Sequence, residues 1–167
     1  MTPMRLKAMN LAATAHAGQV YGPVSYWEGH LAKVVSVLEH YTKDEALLTA
    51  GWLHDAIEDT PTTYEDVCGQ CGFEVADLVL AVTNMPGNNR AQRNKLTYPK
   101  IRAHGQRAVM LKLADRIVNV ESCWEHKDSR LFMYSREHAD FKQALYSKDD
   151  DSTVQSLWTR LDILLGF

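Results

Sequence analysis

One imidazole and three carboxylates fall within the six residues His54 to Asp59, inside the run Trp52-Leu53-His54-Asp55-Ala56-Ile57-Glu58-Asp59-Thr60. The cluster constrains the fold strongly. Trp52, Leu53 and Ile57 draw it inward, yet buried carboxylates are rarely left unpaired. Upstream, Ala46, Leu47, Ala50 and Leu53 lie near helical spacing, so one helix is expected from about Lys43 to Asp59. On such a helix His54 pairs with Glu58 and Asp55 with Asp59, four residues apart on one face. The acids then gather near a helix C-terminus, where the macrodipole disfavours negative charge. A solvated acidic face is the ordinary reading of such a cluster; a bound cation, which would offset that cost, is the alternative.

The rest of the chain reads as helices. Thr2-Pro3 starts one that runs to about Gln19, with Leu6, Met9, Ala13 and Ala17 near helical spacing. Gly18, Gly22 and Pro23 mark a loop carrying Tyr21, Tyr26 and Trp27. Leu31, Val34, Val35 and Leu38 form the inner face of a helix from about Glu28 to Tyr41, with His30 in its first turn. After Thr60-Pro61, the Thr62-x-x-Glu65 spacing predicts a capping box for a short helix to about Cys71. Phe73–Thr83, Arg90–His104 (interrupted at Pro99), Gln106–Glu125, Ser129–Tyr146 and Ser152–Leu165 complete the set. No stretch alternates like a strand, so a single all-α domain of about eight to ten helices is expected over residues 1–167.

Composition narrows the function classes. A net charge of −3 gives no basic field to recruit nucleic acid. No apolar run is long enough for a membrane span or a signal segment, and a cytoplasmic protein is expected. The three cysteines do not suggest a disulfide framework. Cys68 and Cys71 form a C-x-x-C that lacks further zinc ligands and ends a short helical pattern, so two small helix residues stopped by Gly72 is the preferred reading.

A second polar patch lies in the apolar run Ala108–Val120. Lys112, Asp115 and Asn119 share a face at spacings of three and four, with Arg116 adjoining. Alone, this face reads equally as an internal ion-pair network. In order along the chain come Ala15-His16-Ala17-Gly18-Gln19, His30, the His54–Thr60 run, and Lys112-Leu113-Ala114-Asp115-Arg116 with Asn119. Together these resemble the HD-superfamily phosphohydrolases, in particular the hydrolase domain of RelA/SpoT-type enzymes and the small alarmone hydrolases. The likeness spans roughly residues 8 to 120, leaving 127–167 as additional C-terminal helices.

The resemblance implies an HD-type fold and one divalent metal, usually Mn²⁺, held by His30, His54, Asp55 and Asp115. It makes Glu58 and Asp59 the catalytic acidic pair. Arg116 and Asn119 match positions near the nucleotide, while Arg90 and Arg93 align loosely with phosphate-reaching residues. Lys112 is expected to help stabilise phosphate charge. The implied partner is a small-molecule nucleotide, not nucleic acid or a membrane, and the implied reaction is removal of the 3′-pyrophosphate from (p)ppGpp- or (p)ppApp-like alarmones. The alternatives are another phosphate ester, such as that of NADPH, or a non-catalytic nucleotide-binding module. Homo-oligomerisation is left open. The chain also departs from the family pattern. No cation follows Gln19 until Lys33, and Trp27 stands where the family has a tyrosine three residues before its first histidine ligand. Tyr26 and Trp27 are therefore the candidates for a base-stacking surface, against a core role for these aromatics.

Overall fold

The computed structural model describes residues 1–167 and is built from ten α-helices, one π-helical turn and a minimal hairpin. In order these are α1 (Pro3–Ala15), β1 (Val20–Tyr21), β2 (Val24–Ser25), a π turn (Trp27–Leu31), α2 (Ala32–Tyr41), α3 (Glu45–Leu53) and α4 (Ala56–Asp59). There follow α5 (Tyr64–Cys71), α6 (Phe73–Val82), α7 (Arg90–His104), α8 (Gln106–His126), α9 (Arg130–Leu145) and α10 (Ser152–Leu165). The all-α expectation holds. The hairpin pairs Val20 with Ser25 and Tyr21 with Val24, and strands this short carry no alternation for a sequence pattern to reveal.

The centre is α3. Every residue from Ala46 to Leu53 is buried, as befits a helix that is apolar all round. Asp44 caps its start by accepting from the Leu47 amide at 3.0 Å. Helices α1, α2, α6 and α8 pack around it. Gly51 permits the approach of α2, because a Cβ there would lie 3.0 Å from Val35 Cγ2 and 3.1 Å from Leu38 Cδ1. Each fully buried leucine, such as Leu47 or Leu53, contributes about 1.5–3 kcal/mol by leaving water.

Several boundaries differ from the sequence-based expectation. Helix α1 stops at Ala15 and buries Ala8 and Ala12, while Leu6 remains exposed. The capping box of α5 is Thr63 with Asp66, one residue beyond the Thr62–Glu65 pair. Pro99 lies inside a continuous α7 and does not interrupt it. The largest difference concerns the expected helix from Lys43 to Asp59, which is two helices separated by a turn at His54 and Asp55. The C-terminal helices close the far side, where α9 packs on α7 and α8, and α10 on α8. No helix is long and apolar enough to cross a membrane.

Candidate metal centre and active site

On a regular helix, adjacent side chains point in different directions. The turn between α3 and α4 removes that restriction and brings His54 Nε2 to 3.1 Å from Asp55 Oδ2. His30, in the π turn, places its Nε2 3.2 Å from His54 Nε2 and 3.4 Å from Asp55 Oδ2. From α8, Asp115 Oδ1 reaches 3.4 Å from His30 Nε2 and 3.8 Å from His54 Nε2. Two discontinuous segments and the α3–α4 turn thus bring His30, His54 and Asp115 within the span of one ion, with Asp55 Oδ2 beside both imidazoles. Octahedral ligands about 2.1 Å from a cation lie about 3.0 Å from their neighbours, close to these separations.

The surrounding hydrogen bonds favour the same use. The Gly51 carbonyl can only accept, so His54 Nδ1 donates to it at 3.0 Å and Nε2 is left to face the cluster. His30, His54 and Asp115 are buried, and their donor atoms fall within the span of one ion. His30, His54 and Asp115 therefore fit a divalent metal on their geometry, and Asp55, beside both imidazoles, adds a second carboxylate of matching chemistry.

Charges are tightly coupled here. Burial lowers the pKa of His54, but Asp55 and Asp115 outweigh it and raise it to about 10. Burial likewise opposes ionisation of both carboxylates. Nevertheless, His54 and His30 hold Asp55, and Lys112 with the two imidazoles holds Asp115, well below the usual carboxylate range. A cation that takes the Nε2 lone pair must displace its proton, so metal binding at about pH 7.5 is expected to release on the order of one proton per ion. A pH indicator in weak buffer measures this. In chelator-stripped protein, the stability tied to the raised His54 pKa is complete below about 6.5. It is lost as pH rises through about 10, so the urea midpoint should fall across that window.

Beside the cluster, α4 carries Glu58 and Asp59 toward solvent. Both oxygens of Glu58 are engaged by Asn84, whose backbone N–H donates at 3.0 Å and whose Nδ2 donates at 2.6 Å. Asp59 makes no side-chain hydrogen bond. Its pKa is raised by partial burial and then by the charges of Asp55 and Glu58.

A match to the HD domain family covers residues 8–147, most of the chain and α9 with it. The chain belongs to the HD domain family. This HD domain is 30% identical over 121 residues to a guanosine-3′,5′-bis(diphosphate) 3′-pyrophosphohydrolase of Drosophila melanogaster, covering 66% of this chain and 68% of that one. It is also 30% identical over 144 residues to a Spiroplasma citri protein of the same enzyme name, covering 83% of this chain but only 19% of the relative. An Aquifex aeolicus relative is likewise much longer, with 16% of its length spanned. Among solved structures, one described as a metazoan ortholog of SpoT that hydrolyzes ppGpp superposes with a TM-score of 0.76 at 23% identity. That superposition covers 99% of this chain and 96% of the other, a likeness of fold.

The remaining candidate residues of this HD domain are placed unevenly. Lys112 Nζ lies 2.9 Å from Asp115 Oδ2, and Asn119 Nδ2 donates to Asp115 Oδ1 at 2.6 Å, so both grip the Asp115 carboxylate. Arg116 is buried. It donates to Tyr98 Oη at 2.9 Å and to Glu137 at 3.2 Å, and stacks over Phe141 and Tyr134. Arg90, at the start of α7, is half-exposed and held by Glu137 at 2.7 Å. Arg93 on the same helix is half-buried and has no side-chain hydrogen bond or ion pair. Trp27 packs 6.5 Å from Trp52, centroid to centroid. Tyr26 donates its hydroxyl to Asp55 Oδ2 at 2.6 Å. Burial and then the Asp55 charge push that phenol far above its ordinary value, so it stays a donor.

Sequence reasoning did not single out Glu137, which joins Arg90 to Arg116 from α9, because nothing in its local spacing points at residues 47 and 21 positions away. It also assigned no role to His16 beyond its motif. His16 is buried, its ring stacks 5.0 Å from Tyr26, and its Nδ1 lies 2.8 Å from Gln19 Oε1. The Gln19 amide in turn donates to the Asp59 carbonyl at 3.0 Å, so the Ala15–Gln19 run braces the end of α4. Cys68 and Cys71 lie on α5, outside the metal cluster. Replacing both with serine is expected to leave the metal content unchanged and to cost about 1–2 kcal/mol in a denaturant titration.

Proposed function

We propose that this HD domain is a metal-dependent nucleotide phosphohydrolase that removes the 3′-pyrophosphate from (p)ppGpp-like alarmones. The observation that carries the reading is the grouping of His30, His54 and Asp115 within the span of one ion, with Asp55 against both imidazoles and the Glu58–Asp59 pair on the adjoining α4. The enzyme names of its relatives support the substrate class. Mn²⁺ is the ion that the family resemblance implies, and the carboxylate oxygens suit it. A divalent ion held there supplies Lewis acidity and lowers the pKa of a water ligand.

The chain's own residues supply the rest. Asp59, with unengaged oxygens, accepts the proton of the attacking water, while Glu58, fixed by Asn84, orients that water. Lys112 and Asn119 hold Asp115 in place. Because Lys112 and Arg116 are engaged internally, Arg93 and the exposed edge of Arg90 are the cations left to meet the substrate's phosphates. A soluble nucleotide substrate is consistent with a cytoplasmic site of action.

The test is product analysis on a panel of ppGpp, pppGpp, ppApp, NADPH and simple nucleoside phosphates, with and without Mn²⁺. Pyrophosphate release from the 3′-position of the alarmones is expected. Orthophosphate from NADPH alone would replace the reading with a phosphatase. Tight nucleotide binding without turnover would make the chain a sensor module.

A further inference from the structure

We propose that Tyr26 and Tyr21 are positioning residues of the metal centre, each hydroxyl fixing one of the two carboxylate ligands. The inference rests on the metal-dependent reading above but concerns the ion rather than the nucleotide. Tyr26 acts directly, through its 2.6 Å hydrogen bond to Asp55 Oδ2, the oxygen that faces both imidazoles. Tyr21 acts through Asn119. The Asn119 Nδ2 donates to Asp115, which as a carboxylate can only accept, so Asn119 Oδ1 must face away and needs a donor. Tyr21 Oη supplies it at 3.0 Å. One loop thereby holds Asp55, from the α3–α4 turn, and Asp115, from α8.

The backbone explains how two tyrosines five residues apart do this. The hairpin fixes Tyr21 opposite Val24, and the Tyr26 amide donates to the Gln19 carbonyl at 3.0 Å, tying the start of the next turn to the hairpin. The turn that follows is π-helical, which accommodates one residue more than an α-turn and recurs at functional sites. Gly29 lets that turn lie against the hairpin. A Cβ there would sit 2.8 Å from Val24 Cγ2 and 3.1 Å from the Tyr21 carbonyl oxygen. His30 ends up with its ring centroid 5.1 Å from Tyr21 and 5.2 Å from Tyr26. The hydroxyls, rather than ring faces offered to a base, are what the geometry uses.

Tyr26→Phe and Tyr21→Phe separate these roles, since phenylalanine keeps the ring and loses only the donor. Chelator-stripped proteins are titrated with Mn²⁺ against a chromogenic chelator, and thermal melts confirm that each variant folds. Tyr26→Phe is expected to weaken Mn²⁺ binding about 10–100-fold, as loss of a hydrogen bond to a ligand does. Tyr21→Phe, one bond further out, should cost less, on the order of threefold to tenfold. The Mn²⁺ concentration for half-maximal rate should rise in parallel, while KM for the nucleotide at saturating Mn²⁺ moves by less than about threefold. Mn²⁺ affinity within twofold of the parent in Tyr26→Phe overturns the proposal, as does a rise confined to nucleotide KM. A parent protein that binds Mn²⁺ yet hydrolyses no nucleotide overturns the phosphohydrolase reading alone, because the affinity series still decides the role of the tyrosines. A parent that binds no divalent ion removes both.

Discussion

Replacing His54 or Asp55 by alanine is expected to remove the retained divalent ion and to cut pyrophosphate release by at least about a thousandfold. Lewis-acid stabilisation of phosphoryl charge contributes several kcal/mol, and each 1.36 kcal/mol is a factor of about ten in rate. Each imidazole Nε2 lies 3.1–3.8 Å from the other imidazole and from both carboxylates, so every one of these groups is in direct contact with a deleted one and none is spare. The fold should survive. Asp55→Ala leaves the Tyr26 hydroxyl without its acceptor, a cost of about 1–3 kcal/mol against a typical total stability of about 5–15 kcal/mol. Asp115 keeps Lys112 and Asn119 as partners in either variant. Asp55→Asn, which preserves shape, guards against an effect of the cavity. Elemental analysis after dialysis, read beside a thermal melt, is the measurement. Stoichiometric metal in both alanine variants would undo the ligand assignment.

The sequence exposes the ligand types more readily than the geometry that joins them. Lys112, Asp115 and Asn119 were legible because helical spacing alone puts them on one face, and α8 is a continuous helix there. His54 and Asp55 stood out as residues, but the turn that makes them converge did not. No glycine or proline marks it, and the residues around it are compatible with a helix. Burial of α3 on all sides and the pull of His30 and Asp115 settle the break, and these are long-range terms. The capping box shifted because Thr62–Glu65 and Thr63–Asp66 both satisfy the pattern, and only the backbone chooses between them. The family resemblance singles out Trp27, with Tyr26 beside it, three residues before His30. The π turn adds a residue, and it is Tyr26 whose hydroxyl meets the cluster. The α9 contacts of Arg90 and Arg116 were invisible for the same reason, as pairings across many residues leave no periodic trace.

Asp59→Asn is expected to lose about a hundredfold or more in turnover while keeping its metal, and Glu58→Gln to lose less. Both acids are adjacent on α4, so sequence alone treats them alike. Their surroundings separate them. Glu58 accepts two hydrogen bonds from Asn84, which fix its position and occupy both of its oxygens. Asp59 has free oxygens, and its pKa is raised by burial and by Asp55 and Glu58, which moves it toward the range useful for a proton acceptor. Asparagine is nearly isosteric with aspartate, and the side chain at 59 bonds to none of His30, His54, Asp55 and Asp115, so metal content should stay at the parent level. Glutamine at 58 keeps one Asn84 bond, through its carbonyl oxygen, and loses the other, so the side chain swivels instead of vanishing. Single-turnover rates at saturating Mn²⁺ isolate the chemical step from metal and nucleotide binding. A hundredfold loss in Glu58→Gln with near-parental rates in Asp59→Asn would exchange the two roles. Near-parental rates in both would move the proton acceptor off α4 altogether, leaving the acidic pair to shape the field around the ligands.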